Sequence, residues 1–162
     1  MAMAAHLQLV TDQEIDALVN EPARINKLDN EGFSSYWSLS ISFFLCGDGW
    51  PSASKQRPLT AMFFGYETIE TPTLENGSFG LVRPADVRAI ATALAKVDLK
   101  KLKTQVEEAD PDQMADAECD DFELLVTDDE DPGKTVAEDV KGLAAFYEKA
   151  AKLGHGVVMY SS

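Results

Sequence analysis

Between Thr104 and Gly133 this chain holds thirteen carboxylates and no lysine or arginine. They are Glu107, Glu108, Asp110, Asp112, Asp116, Glu118, Asp120, Asp121, Glu123, Asp128, Asp129, Glu130 and Asp131. An unpaired charge removed from water is costly, so this segment is expected to be a solvated helix face plus a loop. The rest of the chain is nearly neutral, with 15 acids against 14 bases, so almost all of the formal charge of −14 is local. Such a field repels nucleic acid and attracts basic surfaces.

The length of 162 residues implies a single domain over 1–162. A chain of this size buries roughly 70% of the surface its unfolded form exposes, enough for a core without disulfide staples. Cys46 and Cys119 are too few and too unpatterned for a disulfide framework or a zinc site, and read as reduced thiols. No run of about 18 apolar residues exists to span a membrane. The opening Met1–His6 has no basic region and no long apolar core, so it does not read as a secretory signal. A cytoplasmic protein is the expectation.

Periodicity orders the rest. Residues 3–10 alternate partially, as a strand does. Thr11 with Glu14 forms a capping-box pattern ahead of Ile15, Leu18 and Val19, which predicts a short helix ending before Pro22. Trp37, Ile41, Phe44 and Leu45 fall at helical offsets within residues 34–46, and Gly47 stands where a C-terminal cap belongs. Residues 47–58 are a loop by their glycines and prolines, and residues 68–76 look irregular. A strand is expected at 79–82, a helix from Pro84, and another from Leu99 into the acidic region. Asp128–Gly133 reads as a charged loop. Thr135 with Glu138 is a second capping-box pattern. It precedes Val136, Val140, Leu143, Tyr147 and Ala150, a helix stopped by Gly154. Gly156–Tyr160 is a last strand. Strands near 3–10, 79–82 and 156–160 with several helices predict an α+β domain built on a small mixed sheet.

The order of these motifs resembles the YfbM-like bacterial family of unknown function. The Met1-Ala2-Met3 opening, the segment from Leu28-Asp29 through Trp37 to Leu45-Cys46-Gly47, and Pro58-Leu59-Thr60 followed by Gly65 are similar to steps of that family's pattern. So are the Leu81–Leu94 strand and helix, Phe146-Tyr147, and the closing Val-Val-Met-Tyr. The family's His and Thr in the Trp-helix segment are replaced here by Ser40-Ile41-Ser42-Phe43 and Cys46. Its Ile-Tyr-Pro motif gives way to Ala117-Glu118-Cys119 and the acidic run. The resemblance implies a single domain of bacterial origin and no established reaction. The resemblance also implies that some members sit near toxin–immunity genes, which makes an immunity role a candidate.

Three readings of the acidic run compete: a solubilising face, a docking face for a basic protein, and a cation site. Asp128 onward fails the calcium-loop template, with Pro132 at the fifth position and Asp139 rather than Glu at the twelfth. Exposed like charges cost a helix a few tenths of a kcal/mol per i,i+4 pair, roughly 0.2–0.5. Steering toward an opposite charge raises association rates by roughly 10 to 10³-fold. Docking therefore gives the run a purpose that solubility alone does not. Nuclease toxins are basic because they bind phosphates, so an acidic inhibitor complements one. Trp50, in the Gly47–Pro51 loop, is the first candidate apolar anchor, unless it folds onto the core; Phe122 is the second, unless it docks the acidic segment to the body.

Lys96, Lys100, Lys101 and Lys103 read as helix-terminal charge compensation. No nucleophile motif, phosphate loop or paired metal-binding histidines appear, so no catalytic residue, metal or cofactor is expected. His6 and His155 would approach one another only if the end strands pair. The expectation is a non-catalytic immunity protein that binds a basic toxin, with a solubility-only protein and a small enzyme as alternatives.

Overall fold

The computed structural model describes residues 3–162, so Met1 and Ala2 of the Met-Ala-Met opening lie outside the described residues. Strands β1 (Ala5–Val10), β2 (Gly32–Ser35), β3 (Glu67–Glu70), β4 (Ser78–Val82) and β5 (Gly156–Ser161) form one sheet in the order β2-β1-β5-β4-β3. The first and last of these pair along six residues, from Ala5 opposite Ser161 to Val10 opposite Gly156. The α+β class is as expected, but the sheet is not mixed: every ladder is antiparallel. The long connection after β4 brings the chain back to the same end of the sheet, where Val82 faces Val157, and so forces this sense.

Helices α1 (Asp12–Asn20), α2 (Ser38–Cys46), α3 (Pro84–Ala95), α4 (Leu99–Glu108), α5 (Pro111–Asp116), α6 (Asp121–Asp128) and α7 (Pro132–Leu153) complete the domain, with short 3-10 turns at Pro22–Lys27 and Pro58–Ala61. Alternation sorts the strand side chains between two cores. Leu7, Leu9, Val82, Val157 and Met159 join the apolar faces of α2 to α7 in the larger one. Val10, Phe79, Leu81 and Val158 join Ile15, Leu18 and Ile25 beneath α1 in the smaller. Tyr147 of α7 is fully buried and donates its hydroxyl to the Met62 carbonyl at 2.6 Å.

The Thr11–Glu14 box forms in both directions. Burial pushes the Glu14 carboxyl up, but hydrogen bonds from Asn30 and Thr11 outweigh it and hold Glu14 below its ordinary value. Gly47 takes the left-handed conformation expected of a cap, at φ 83°. The box at Thr135 does not form. Helix α7 begins at Pro132, and Asp131 is its cap, accepting from the Lys134 N–H at 3.2 Å. Thr135 instead donates its hydroxyl to Asp129. The acidic region is also more helical than expected, with α5 and α6 inside it. Two strands went unforeseen, β2 and β3, which form the sheet edges.

Candidate interaction face and its aromatic cleft

Ten of the thirteen carboxylates are exposed: Glu107, Glu108, Asp110, Asp112, Asp116, Glu118, Asp120, Glu123, Asp128 and Glu130. They line the end of α4, all of α5 and α6, and the turns between. Buried Leu102, Val106, Met114, Phe122 and Leu125 hold these short helices down and leave the acids outward. Among the described residues only Lys103 reaches any of the thirteen, at 4.0 Å from Glu107 and 3.9 Å from Asp131. No group of three His, Cys, Asp or Glu is arranged to hold a metal ion among the described residues.

Four of the thirteen have internal work. Asp110, though exposed, caps α5 by accepting from the Asp112 N–H at 3.0 Å. Asp129 accepts from Thr135 and from the Asp131 N–H, which holds its carboxyl below the usual range. Asp131 caps α7. Asp121 is only 4% exposed and is not available to a partner, a correction to the sequence reading. Helix α2 starts after Trp37, which offers no side-chain acceptor for its first N–H groups. Asp121 supplies the acceptor from α6: Oδ2 takes the N–H groups of Leu39 at 3.0 Å and Ser40 at 3.2 Å, and Oδ1 takes the Ser40 hydroxyl at 2.6 Å. Burial pushes this carboxyl up, and those hydrogen bonds only partly offset it.

Phe122 is likewise not an anchor. It is 1% exposed and packs beside Phe44, with ring centroids 6.1 Å apart. An apolar side chain at helical spacing turned inward while Glu123 beside it turned out.

Trp50 remains 47% exposed. Its indole stacks on Phe64, with centroids 5.4 Å apart and planes 24° from parallel. The Trp50 backbone N–H donates to Asp48 Oδ1 at 2.9 Å, which fixes the turn that carries it. Two close approaches place this pair. A Cβ on Gly80 would lie 2.2 Å from the Phe64 carbonyl oxygen, so glycine lets the Phe64 backbone lie on the sheet. A Cβ on Gly49 would lie 2.8 Å from Cys119 Sγ, so the Trp50 loop sits against the α5–α6 turn.

Trp50 therefore lies beside the acidic face. It walls two adjoining clefts, of about 330 and 160 Å³, that share Met3, Phe64 and Ser161. Asp120 and Asp121 line the smaller one. Met3 and Phe64 are cleft residues that sequence reasoning missed. Residues 59–66 are short and apolar, and periodicity does not decide their type, so nothing in the sequence set Phe64 apart. A separate open groove of about 610 Å³ lies between α1 and the following 3-10 turn, over Leu18 and Leu28 with Glu14, Glu21, Arg24 and Lys27 around it. Nothing in the sequence singled it out.

The residues considered for nucleophilic chemistry do not converge. His6 holds the hydroxyls of Ser34 and Ser162 at 2.8 and 2.6 Å and pairs in register with Tyr160. His155 precedes β5, five residues or about 17 Å further along that ladder. Both cysteines are buried and free. Burial pushes the Cys46 thiol up, and pushes that of Cys119 up to about 12 with help from Asp121, Asp48 and Asp120. Neither is poised as a thiolate.

An antiparallel sheet joined by its first and last strands and roofed by helices defines an α+β domain with clefts at its surface. A family model described as Domain of unknown function (DUF1877) matches residues 1–160, and the chain belongs to that family. A solved structure, the protein of unknown function YfbM from Escherichia coli, is similar at a TM-score of 0.66 and 14% identity, over 98% of this chain and 99% of that one. The likeness shows a shared fold. No curated protein matches. No helix among the described residues is long and apolar enough to cross a membrane.

Proposed function

We propose that this chain is a non-catalytic binding module for a basic protein. In its concrete form it is an immunity protein acting in the cytoplasm to neutralise a cognate bacterial toxin, with a basic nuclease as the toxin class whose charge it complements. The observation that carries this reading is the layer of ten exposed carboxylates on α4 to α6, of which only Glu107 approaches a cation among the described residues. Like charges left unpaired on neighbouring helix turns lower stability. An opposing cationic surface converts that cost into steering and specificity. Trp50, beside the layer and nearly half exposed, supplies the apolar contact that charge alone lacks.

The test is co-expression with the polypeptide encoded by the adjacent gene. Rescue of growth by this chain, together with recovery of a complex of the two, is the expected result. An unaffected toxin, or a harmless neighbour that does not bind, contradicts the immunity role.

A further inference from the structure

The smaller of the two Trp50 clefts has features that choose among basic side chains. Its volume of about 160 Å³ is below the roughly 300–1,000 Å³ of small-molecule sites, so it suits a single side chain. One wall is the Trp50 indole, backed by Phe64 and therefore held at a fixed angle. Asp120 stands at the edge of the same cleft, exposed, with no hydrogen bond or ion pair to its carboxylate among the described residues. Asp121 lies behind it with both oxygens engaged by α2, adding negative potential without being open to a ligand. No lysine or arginine lines the cleft.

We propose that this cleft receives an arginine side chain of the partner protein, with the guanidinium stacked on Trp50 and paired with Asp120. The proposal rests on the acidic-face reading and gives it a specific contact. A guanidinium is planar, weakly hydrated and able to donate two N–H groups to one carboxylate while its face lies on an aromatic ring. An ammonium is a compact, strongly hydrated charge and gains less from a flat aromatic wall. The acidic helices attract either cation from a distance. The cleft discriminates between them on contact.

The test uses capped tetra-arginine and tetra-lysine peptides, equal in charge, titrated into the full chain in about 0.01 M salt, where the Debye length is roughly 30 Å. Affinity is read by calorimetry, and the site by the Trp50 indole N–H resonance, assigned with Trp50→Phe. The arginine peptide is expected to bind at least about fivefold tighter and to move that resonance. Trp50→Ala and Asp120→Asn should each reduce the preference to less than about twofold, by weakening the arginine peptide more than the lysine peptide. Asp120 is exposed, so its variant reports binding without disturbing the core. Equal affinity for the two peptides, or an arginine preference that survives both variants, overturns the arginine cleft and leaves the acidic face standing. Binding of neither peptide overturns both.

Discussion

Asp120, Asp121 and Phe122 are adjacent and have three different fates. Asp120 is exposed at the cleft, Asp121 is buried as the trans cap of α2, and Phe122 is in the core. Asp121→Ala leaves two N–H groups and a hydroxyl without their acceptor, at a cost of about 2 kcal/mol, so the melting temperature should fall by about 4–8 °C. Asp121→Asn keeps one acceptor oxygen and should cost less than half as much; equal losses in the two melts would show that the cap is not what Asp121 supplies. The sequence distinguished Trp50 from its surroundings because a large aromatic among Gly, Asp and Pro has no periodic neighbours to pack with. It could not distinguish Asp121 from twelve other acids. That role depends on Trp37 leaving α2 without a cap, 84 positions earlier, and only the fold brings the two together.

At the scale of elements, local chemistry was legible where it had no competitor. Thr11 and Glu14 form their box because nothing nearby offers a better start for α1. Thr135 and Glu138 repeat the pattern, but Asp131 followed by Pro132 supplies an earlier cap and a first helical residue with φ already set. Asp131→Ala should therefore destabilise the protein by about 1 kcal/mol in chemical denaturation. If Thr135→Ala proved the costlier change, α7 would be shown to start where the box pattern placed it. The edge strands escaped notice because each has only four residues, too few for alternation to stand out. Glu14 gives α1 a pH dependence. Its carboxyl is held below the ordinary value of 4.5, so its stabilising effect is fully present above that pH and is lost as pH falls through the folded-state value. Glu14→Gln should flatten this part of the acid limb of a stability–pH curve; an unchanged limb would exclude the box as its source.

Across the whole molecule, neutral and acidic sequence separate into different layers. The nearly neutral segments build the sheet, α1, α2, α3 and most of α7, and the acidic segment roofs them with short helices. That division was visible in the charge distribution, whereas the pairing of the two end strands was left open until the fold showed it. The wholly antiparallel sheet was not, because periodicity fixes which residues form strands and says nothing of the direction from which a long helical connection returns.

The central claim is that the outward carboxylates of α4 to α6 are kept for a cationic protein. Its most direct measurement is the association rate with the basic polypeptide encoded beside this chain, taken as a function of salt. It compares the native chain with one in which Glu107, Glu108, Asp112, Asp116, Glu123 and Glu130 become amides. These positions are exposed and cap nothing, so the fold is unchanged. The native rate should fall at least about tenfold as salt rises from about 0.01 M to 0.15 M, and the amide variant should be slow and nearly flat throughout. Equal rates for the two chains, or a native rate indifferent to salt, would contradict the claim.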